Sequence, residues 1–242
     1  MLSTVAIIPA RLASTRLENK PLADLCGRPL IVRVYENALK LKSVDKVFVA
    51  ADSEEVARVA RAAGADVVMT PSSLPSGSDR VYQASKIVAP NADLIINIQG
   101  DEPFLDTQAV DSLVEEARTG VYADIFTLYY RITPEEALDP QKVKVVVNRA
   151  GQAIYFSRSP VPHGSGEYLK HLGVYIWRKN SLEVFNFLSP SPLEQIEQLE
   201  QLRAIENGMK IKVSESGLDS PGVDTLEDLE EARRIFTERY GS

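Results

Sequence analysis

Short runs rich in Val, Ile and Leu alternate with stretches that carry apolar residues at helical spacing in the first part of the chain. Strands that are apolar on both faces are typical of a parallel sheet covered by helices on both sides. The β-α-β succession predicts a doubly wound α/β sheet with right-handed crossovers. The predicted elements of this part are strands 5–10, 46–51, 66–70 and 93–98 and helices 29–42, 53–63 and 78–88.

After Asp101 the alternation gives way to longer strand-like runs. Two of these runs flank Arg149–Gly151 closely enough to predict a hairpin, which adds antiparallel strands to a mainly parallel sheet. We therefore predict one α/β domain over 1–242 with an inserted antiparallel lobe over roughly 130–215. The predicted elements of this part are a helix near 106–118, strands 123–132, 143–148, 152–157, 170–177 and 210–214, helices 180–188 and 191–207, and a last helix from Thr225.

Several of the predicted helices have a signal at their first turn. Asp52 and Glu55 have the spacing of a capping box, in which the side chain of each residue bonds to the backbone N–H of the other. Ser191 and Glu194 have the same spacing at the start of the long helix predicted over 191–207.

The composition narrows the class of protein. The chain is 44% hydrophobic and 25% charged, and no apolar run reaches the roughly 20 residues that cross a bilayer, so we expect no membrane insertion. The net charge of −7 disfavours nucleic-acid binding, which needs a basic face. A lone cysteine, Cys26, cannot form an internal disulfide, and the first residues lack the features of a secretory signal. We therefore expect a cytoplasmic protein.

A cationic segment follows the first predicted strand. Arg11, Arg16 and Lys20 come at spacings of five and four among small and hydroxyl residues. Ligands of open parallel sheets lie outside the carboxyl ends of the strands, so this segment is placed to bind a polyanion. The chain has no Walker A loop and no complete dinucleotide fingerprint, so phosphates would be held by discrete cations. The alternative is a solvated basic turn.

Two carboxylates stand at other strand or helix ends. Asp101 follows a predicted strand, and the preceding Gly100 lets the backbone approach a ligand. Asp224 precedes the last helix, where Thr225 with Asp228 already supplies the cap. Two hard oxygen ligands completed by water and phosphate oxygens suit Mg²⁺. The alternatives are a plain acidic turn at Asp101 and a helix-capping role for Asp224.

A third polar set lies in the predicted lobe. Glu200 shares the apolar face of its predicted helix with Leu193 and Ile196, so its carboxylate needs a partner. Gln201 is adjacent, and His171 lies on a strand of the same lobe. These side chains predict either a polar substrate pocket or a structural hydrogen-bond network.

A series of motifs resembles the 3-deoxy-manno-octulosonate (Kdo) cytidylyltransferases, the bacterial enzymes that make CMP-Kdo. The series covers nearly the whole chain, and QGDEP, SPLE, EQLR and GVDT in this order are specific to that family. The matching motifs are IIPAR at Ile7–Arg11, STR at Ser14–Arg16, KPL at Lys20–Leu22, S-G-x-[DE]-R at Ser76–Arg80, QGDEP at Gln99–Pro103, YFSR at Tyr155–Arg158, HLG-Y at His171–Tyr175, SPLE at Ser191–Glu194, EQLR at Glu200–Arg203 and GVDT at Gly222–Thr225.

The resemblance implies a Rossmann-like nucleotide-sugar transferase fold, dimeric through the inserted lobe, that joins CTP and Kdo with Mg²⁺ for lipopolysaccharide biosynthesis. It assigns 1–105 mainly to CTP, roughly 130–215 to the sugar and the homodimer, and 216–242 to a metal-site turn and the C-terminal helix. Lys20, Asp101 and Asp224 are implied as catalytic residues, the two acids as ligands of Mg²⁺. The implied CTP-binding residues are Ala10, Arg11, Arg16, Lys20, Ala50, Asp52, Ser76, Gly77 and Gly100. The implied sugar-binding residues are Gln99, Arg80, Arg158, His171, Glu200 and Gln201.

One position departs from the family pattern. Glu18-Asn19 stands where the first loop of the family usually has Pro-Gly. Asn tolerates the left-handed conformation, so the turn is expected to survive, whereas Glu18 adds a negative charge near the phosphates. Three other functions stay open: a cytidylyltransferase for another sugar acid such as sialic acid, a non-catalytic nucleotide-binding regulator, and a structural protein.

Overall fold

The computed structural model describes residues 2–14 and 16–241, which form two compact units. One unit consists of Leu2–Thr107 with the segment from Asp219, and the other consists of Gln108–Leu218. The fold is mixed α/β with mainly parallel strands and some antiparallel ones, which confirms the predicted class. In the part of the chain that the structure describes, no helix is both long and apolar enough to cross a membrane.

The first unit, which we call the N-terminal unit, contains a parallel sheet centred on its first strand. β1 is buried along its whole length and pairs in parallel with β2 on one side and β4 on the other. The strand order β3-β2-β1-β4 brings four carboxyl ends to one edge. The elements are β1 (Thr4–Ala10), a 3₁₀ helix (Lys20–Leu22), α1 (Leu30–Ala38), β2 (Lys46–Ala51), α2 (Glu54–Ala62), β3 (Asp66–Met69), α3 (Gly77–Val88), β4 (Leu94–Ile98) and, near the C-terminus, α9 (Leu226–Tyr240).

The second unit, which we call the lobe unit, mixes both strand directions. β5 pairs antiparallel with β8 and parallel with β9, and β6 and β7 form the predicted hairpin. The short helix α5 begins with a capping box at Thr133 and was not predicted. The elements are α4 (Thr107–Arg118), β5 (Ile125–Ile132), α5 (Pro134–Ala137), β6 (Lys144–Val147), β7 (Ala153–Ser157), β8 (Tyr168–Arg178), α6 (Lys179–Asn186), α7 (Pro192–Glu197), α8 (Gln201–Glu206) and β9 (Ile211–Glu215).

The prediction of one long helix over 191–207 is wrong, because α7 and α8 are separate. Gln198 adopts the left-handed conformation (φ 56°, ψ 48°), and the Leu199 N–H donates to the Glu194 carbonyl at 3.2 Å, which ends α7. Glu200 does not share an apolar helix face with Ile196 as predicted, because the two residues belong to different helices and Ile196 is 77% exposed. Glu200 instead immediately precedes α8.

The predicted cap of α2 is displaced by one residue. Ser53, rather than Asp52, is the N-cap, and its hydroxyl accepts from the Val56 N–H at 3.2 Å. The Asp52 carboxylate is thereby available for other partners. At α9 the capping box of Thr225 and Asp228 is present as predicted, with bonds of 2.9 and 3.1 Å.

Candidate active site

The Lys20 ammonium lies between the two acids that were predicted as metal ligands. Its Nζ atom donates to Asp101 Oδ2 at 2.5 Å and to Asp224 Oδ1 at 2.8 Å. The other oxygen of Asp224 pairs with Arg16 Nη2 at 3.0 Å. The fold of the N-terminal unit thus joins the cationic segment after β1 to both acids, as the sequence predicted.

Backbone contacts place the two acidic segments side by side. The Val223 N–H donates to the Asp101 carbonyl at 2.9 Å, and the Val223 side chain is fully buried. The Ser220 hydroxyl reaches the Glu102 carboxylate at 3.3 Å. Because the cap of α9 is made by Thr225, the Asp224 carboxylate is directed to Lys20 and Arg16 rather than to the helix.

The electrostatics of this group favour a cation held between the acids. Burial lowers the pKa of Lys20, but the charge of Asp101 and hydrogen bonds to both carboxylates outweigh it, so the pKa lies above its usual value. Lys20 is therefore an ammonium ion at neutral pH.

Over residues 2–14 and 16–241, no group of three or more His, Cys, Asp or Glu side chains is arranged to hold a metal ion. Asp101 and Asp224 nevertheless converge on one cation, so this pair fits a divalent metal that takes its remaining ligands from water and substrate.

The turn that presents Lys20 uses the residue at which the chain departs from the family pattern. Asn19 adopts the left-handed conformation (φ 49°, ψ 36°) and caps the 3₁₀ helix Lys20–Leu22. The expectation that Asn preserves this turn is confirmed. Glu18 and Asn19 are both exposed.

A pocket of about 320 Å³ opens beside this loop. Asp52 is its single lining residue among those predicted to bind CTP, and the hydroxyl residues Ser53 and Ser72 were missed. Both follow the carboxyl end of a parallel strand, a position that could have indicated them. The lining residues are Leu12, Ala13, Ser14, Glu18, Asn19, Asp52, Ser53 and Ser72.

Gly100 is required by packing against Pro9. A Cβ atom at this position would lie 2.5 Å from the Pro9 carbonyl oxygen, whereas at Gly77 the nearest atoms would lie at ordinary contact distances of 3.6 and 3.7 Å. Ala10 and Ala50 are 2% and 0% exposed and offer a nucleotide almost no side-chain surface.

The residues around α3 that were predicted to bind CTP or the sugar lie close together, but most of their polar groups already have partners within the fold. The Ser76 hydroxyl caps α3, accepting from the Asp79 N–H at 3.2 Å. Gln99 lies beside Gly77, where its Oε1 would be 3.7 Å from an added Cβ. Arg80, predicted to contact the sugar, is buried and donates to Asp52 at 3.2 Å.

In the lobe unit, His171 is buried and neutral. Its Nε2 lies 2.9 Å from Thr127 Oγ1, which also lies 2.7 Å from the Val174 carbonyl oxygen and 3.2 Å from that of Leu172. The ring packs edge-on against Phe156 at 5.1 Å. Burial lowers the pKa of His171 to about 3. His171 thus takes part in a buried hydrogen-bond network.

Comparison with known proteins identifies the family. Residues 5–211 match the family described as Cytidylyltransferase. The chain is 44% identical to the 3-deoxy-manno-octulosonate cytidylyltransferase of Chlorobaculum tepidum over 250 aligned positions, with 100% of both chains covered. It is 40% identical to the mitochondrial 3-deoxy-manno-octulosonate cytidylyltransferase of Arabidopsis thaliana, over 97% of this chain and 83% of the relative. The chain belongs to the 3-deoxy-manno-octulosonate cytidylyltransferases.

Solved structures agree with this assignment. A CMP:2-keto-3-deoxy-manno-octonic acid synthetase complexed with CTP is similar with a TM-score of 0.92 and 40% identity, over 98% of this chain and 99% of that one. A cytidylyltransferase from Leptospira borgpetersenii, 16% identical with a TM-score of 0.65 over 98% of this chain and 88% of that one, shares the fold. The resemblance stated from the motifs is confirmed, and with it a nucleotidyltransferase.

In this cytidylyltransferase the guanidinium group of Arg158 has backbone partners. It donates to the carbonyls of Glu197 at 2.8 Å, Pro140 at 3.1 Å and Gln198 at 3.3 Å. The Glu197 carboxylate accepts from the Arg158 N–H at 2.9 Å and from Ser157 at 2.8 Å. Burial raises the pKa of Glu197, but these hydrogen bonds outweigh it and the pKa is lowered. Glu197, which was not predicted from the sequence, thus holds Arg158 in position.

The other two residues predicted to bind the sugar lie at the start of α8. Gln201 is the first residue of the helix and is 7% exposed, and Glu200 before it is partly exposed. Both belong to the lobe unit, as His171 and Arg158 do.

Proposed function

We propose that this cytidylyltransferase transfers CMP from CTP to 3-deoxy-D-manno-octulosonate, forming CMP-Kdo and pyrophosphate for lipopolysaccharide biosynthesis. The observation that carries the proposal is the convergence of Lys20 and Arg16 on Asp101 and Asp224. Cations for a triphosphate and a carboxylate pair for a metal are the two components that nucleotidyl transfer requires. Similarity over the full chain to a synthetase complexed with CTP supports the same substrate here.

In the proposed reaction the anomeric hydroxyl of Kdo attacks the α-phosphorus of CTP in line. A bond forms between that oxygen and the phosphorus, the bond to the β-phosphate oxygen breaks, and the hydroxyl proton passes to solvent. Such a transfer asks the protein mainly for positioning and charge stabilisation. Arg11, Arg16 and Lys20 supply positive charge for the triphosphate and for the pyrophosphate that leaves.

We propose Mg²⁺ as the cofactor, held by Asp101 and Asp224. When bound, the ion would offset phosphate charge and acidify a coordinated hydroxyl group. Lys20 and Arg16 form ion pairs with the same carboxylates, so the two acids already face positive charge.

For the sugar acid we propose contacts from Gln99, His171, Glu200 and Gln201. Of these, His171 offers the sugar little surface, being 9% exposed. Arg80 and Arg158 were expected nearby, and their guanidinium groups already bind groups of the fold. We therefore expect these two arginines to act on the site through the residues they hold.

We further propose a cytoplasmic homodimer. The single cysteine, Cys26, cannot form an internal disulfide, which favours that compartment. Several large apolar side chains of the lobe unit are exposed, as expected of a surface that a second copy covers. These residues are Leu138, Ile154, Val184, Phe187 and Ile196, with exposed fractions of 72%, 52%, 55%, 74% and 77%. Ultracentrifugation of the wild-type chain and of Ile196→Glu tests the dimer, which this change should weaken.

A pyrophosphate-release assay tests the function. CTP is offered with Kdo, sialic acid and other acidic sugars, each with and without EDTA. We expect release with Kdo that EDTA abolishes. Release with sialic acid alone would assign a different sugar acid. Calorimetric CTP binding without turnover on any acid would indicate a regulator, and no nucleotide binding would indicate a structural protein.

A further inference from the structure

Asp52 contacts the backbone on both sides of Arg11. Its own N–H donates to the Ala10 carbonyl at 3.3 Å, and its Oδ1 accepts from the Leu12 N–H at 2.9 Å. Arg11 itself is exposed at the end of β1. The position of this cation therefore depends on one carboxylate at the end of the neighbouring strand β2.

Arg80 holds the other oxygen of that carboxylate. Its Nη2 donates to Asp52 Oδ2 at 3.2 Å, and the two side chains are 2% and 7% exposed. Its Nη1 donates to Thr70 Oγ1 at 2.6 Å and to the Pro71 carbonyl at 3.3 Å. The Thr70 hydroxyl in turn donates to the Ala51 carbonyl at 3.1 Å. The ends of β1, β2 and β3 are thus connected by one buried ion pair.

A buried ion pair is costly to desolvate, and apolar residues of similar volume often stabilise a fold equally well. Apolar residues could not accept the Leu12 N–H. The geometric consequence of the pair is therefore the fixed backbone around Arg11. Burial lowers the pKa of Arg80, the charge of Asp52 raises it and that of Arg11 lowers it, so Arg11 lies within electrostatic range of the pair.

We propose that Asp52 and Arg80 are positioning residues that fix Arg11 for the phosphates of CTP. This inference rests on the proposed function. It replaces the prediction that Asp52 lines the nucleoside and that Arg80 contacts the sugar. Asp52 acts through the Leu12 N–H, and Arg80 acts through Asp52.

CTP affinity, measured by calorimetry on the full chain with Mg²⁺ and without sugar acid, tests the proposal. Two double variants both remove the ion pair: Asp52→Asn/Arg80→Gln keeps an acceptor for the Leu12 N–H, and Asp52→Ala/Arg80→Gln does not. Losing this bond should raise the Kd of the Ala variant about tenfold above that of the Asn variant. When Arg11→Gln is added to both double variants, the difference between their Kd values should shrink to within about twofold. The bond to Leu12 is proposed to act through Arg11, and the effects of coupled residues are not additive.

Several outcomes overturn the proposal. Equal Kd values for the two double variants would do so, as would an undiminished difference in the Arg11→Gln background, which would mean a general structural effect. Circular dichroism and unfolding midpoints establish that both variants fold, and the exposed Arg61→Gln is the control. A wild-type chain that fails to bind CTP would instead overturn the proposed function.

Arg80→Lys is a milder variant for the case that the double variants do not fold. Lysine keeps the charge but cannot reach Asp52, Thr70 and Pro71 together. We expect a several-fold higher Kd for CTP with an unchanged KM for Kdo at saturating CTP. A raised KM for Kdo with an unchanged CTP affinity would show that Arg80 contacts the sugar and would overturn the proposal.

Discussion

Lys20, Asp101 and Asp224 form one group, and His171 forms a pair with Thr127. The resemblance implied that the first group and His171 serve the reaction, yet their surroundings are opposite. The first consists of charges, and its side chains are 18%, 27% and 35% exposed. The second is buried and uncharged, with a hydrogen bond of 2.9 Å. A charged group near water can exchange one partner for another at low cost, whereas a buried polar group that loses its partner is strongly destabilised. We therefore expect changes in the first group to act mainly on catalysis and changes in the second to act mainly on stability.

The largest effect should follow from neutralising either acid of the first group. Asp101→Asn and Asp224→Asn each remove a charge that the proposed metal needs, so Mg²⁺-dependent pyrophosphate release should fall by at least about 100-fold. Both positions are partly exposed, so the unfolding midpoint should change little. Steady-state kinetics and thermal unfolding of each variant measure the two effects.

Glu238→Gln, an exposed change on α9, is the matched control and should leave both quantities unaltered. Near-wild-type pyrophosphate release in either aspartate variant would contradict the assignment of these acids to the metal.

The second group should be visible in the pH dependence of stability. Burial lowers the pKa of His171 to about 3 from its usual 6.5. Below pH 6.5 the unfolded chain therefore binds a proton that the folded chain does not. The contribution of neutral His171 is present above that pH and is lost as the pH falls toward 3, by up to about 1.4 kcal/mol per pH unit. Urea unfolding between neutral and acidic pH measures this slope.

His171→Gln keeps an amide that can form a hydrogen bond with Thr127 but cannot titrate in this range, so it should remove much of the acid slope. The exposed His163→Gln is the control and should keep the wild-type slope. An unchanged slope in His171→Gln would show that other groups set the acid sensitivity.

A smaller effect on stability should distinguish two glycines of the N-terminal unit. Gly100→Ala would place Cβ 2.5 Å from the Pro9 carbonyl, so the free energy of unfolding should fall by about 1–3 kcal/mol. Gly77→Ala meets nothing closer than 3.6 Å at the start of α3 and should leave stability unchanged or slightly raised. Urea unfolding of both variants tests the difference, and equal destabilisation would contradict it.

The elements that could be predicted are those with a strong local pattern. The buried strand β1 and the capping box at Thr225 follow from apolar runs and from side-chain spacing. The break between α7 and α8 could not be predicted, because Gln198 adopts a left-handed conformation for which Gly or Asn is the usual signal. Asp52 and Ser53 are both good caps, and only the folded chain distinguishes them.

The residues of the candidate site also differ in how far a local sequence pattern predicts them. Asp101 and Asp224 could be proposed from the sequence because they stand at element ends without a local role. The partners of Arg80 and Arg158 are backbone carbonyls and acids from distant segments, and no local pattern encodes such contacts. Sequence therefore located the charges of the site better than it located the residues that position them.

The smallest expected effect concerns the turn before Lys20, which tests how tightly the first group is held. Asn19 is left-handed (φ 49°), a conformation that costs alanine more than asparagine, so Asn19→Ala should lower the free energy of unfolding by about 1 kcal/mol. Asn19→Gly removes the backbone strain but increases the conformational entropy of the unfolded chain. Because these two effects oppose each other, it should change the free energy of unfolding by less than Asn19→Ala does. Because Lys20 is also fixed by two carboxylates, its position should survive both changes, and the KM for CTP should move by less than about threefold. Urea unfolding and CTP kinetics measure both quantities, and a large rise in KM for Asn19→Ala alone would mean that the turn, rather than the carboxylates, positions Lys20.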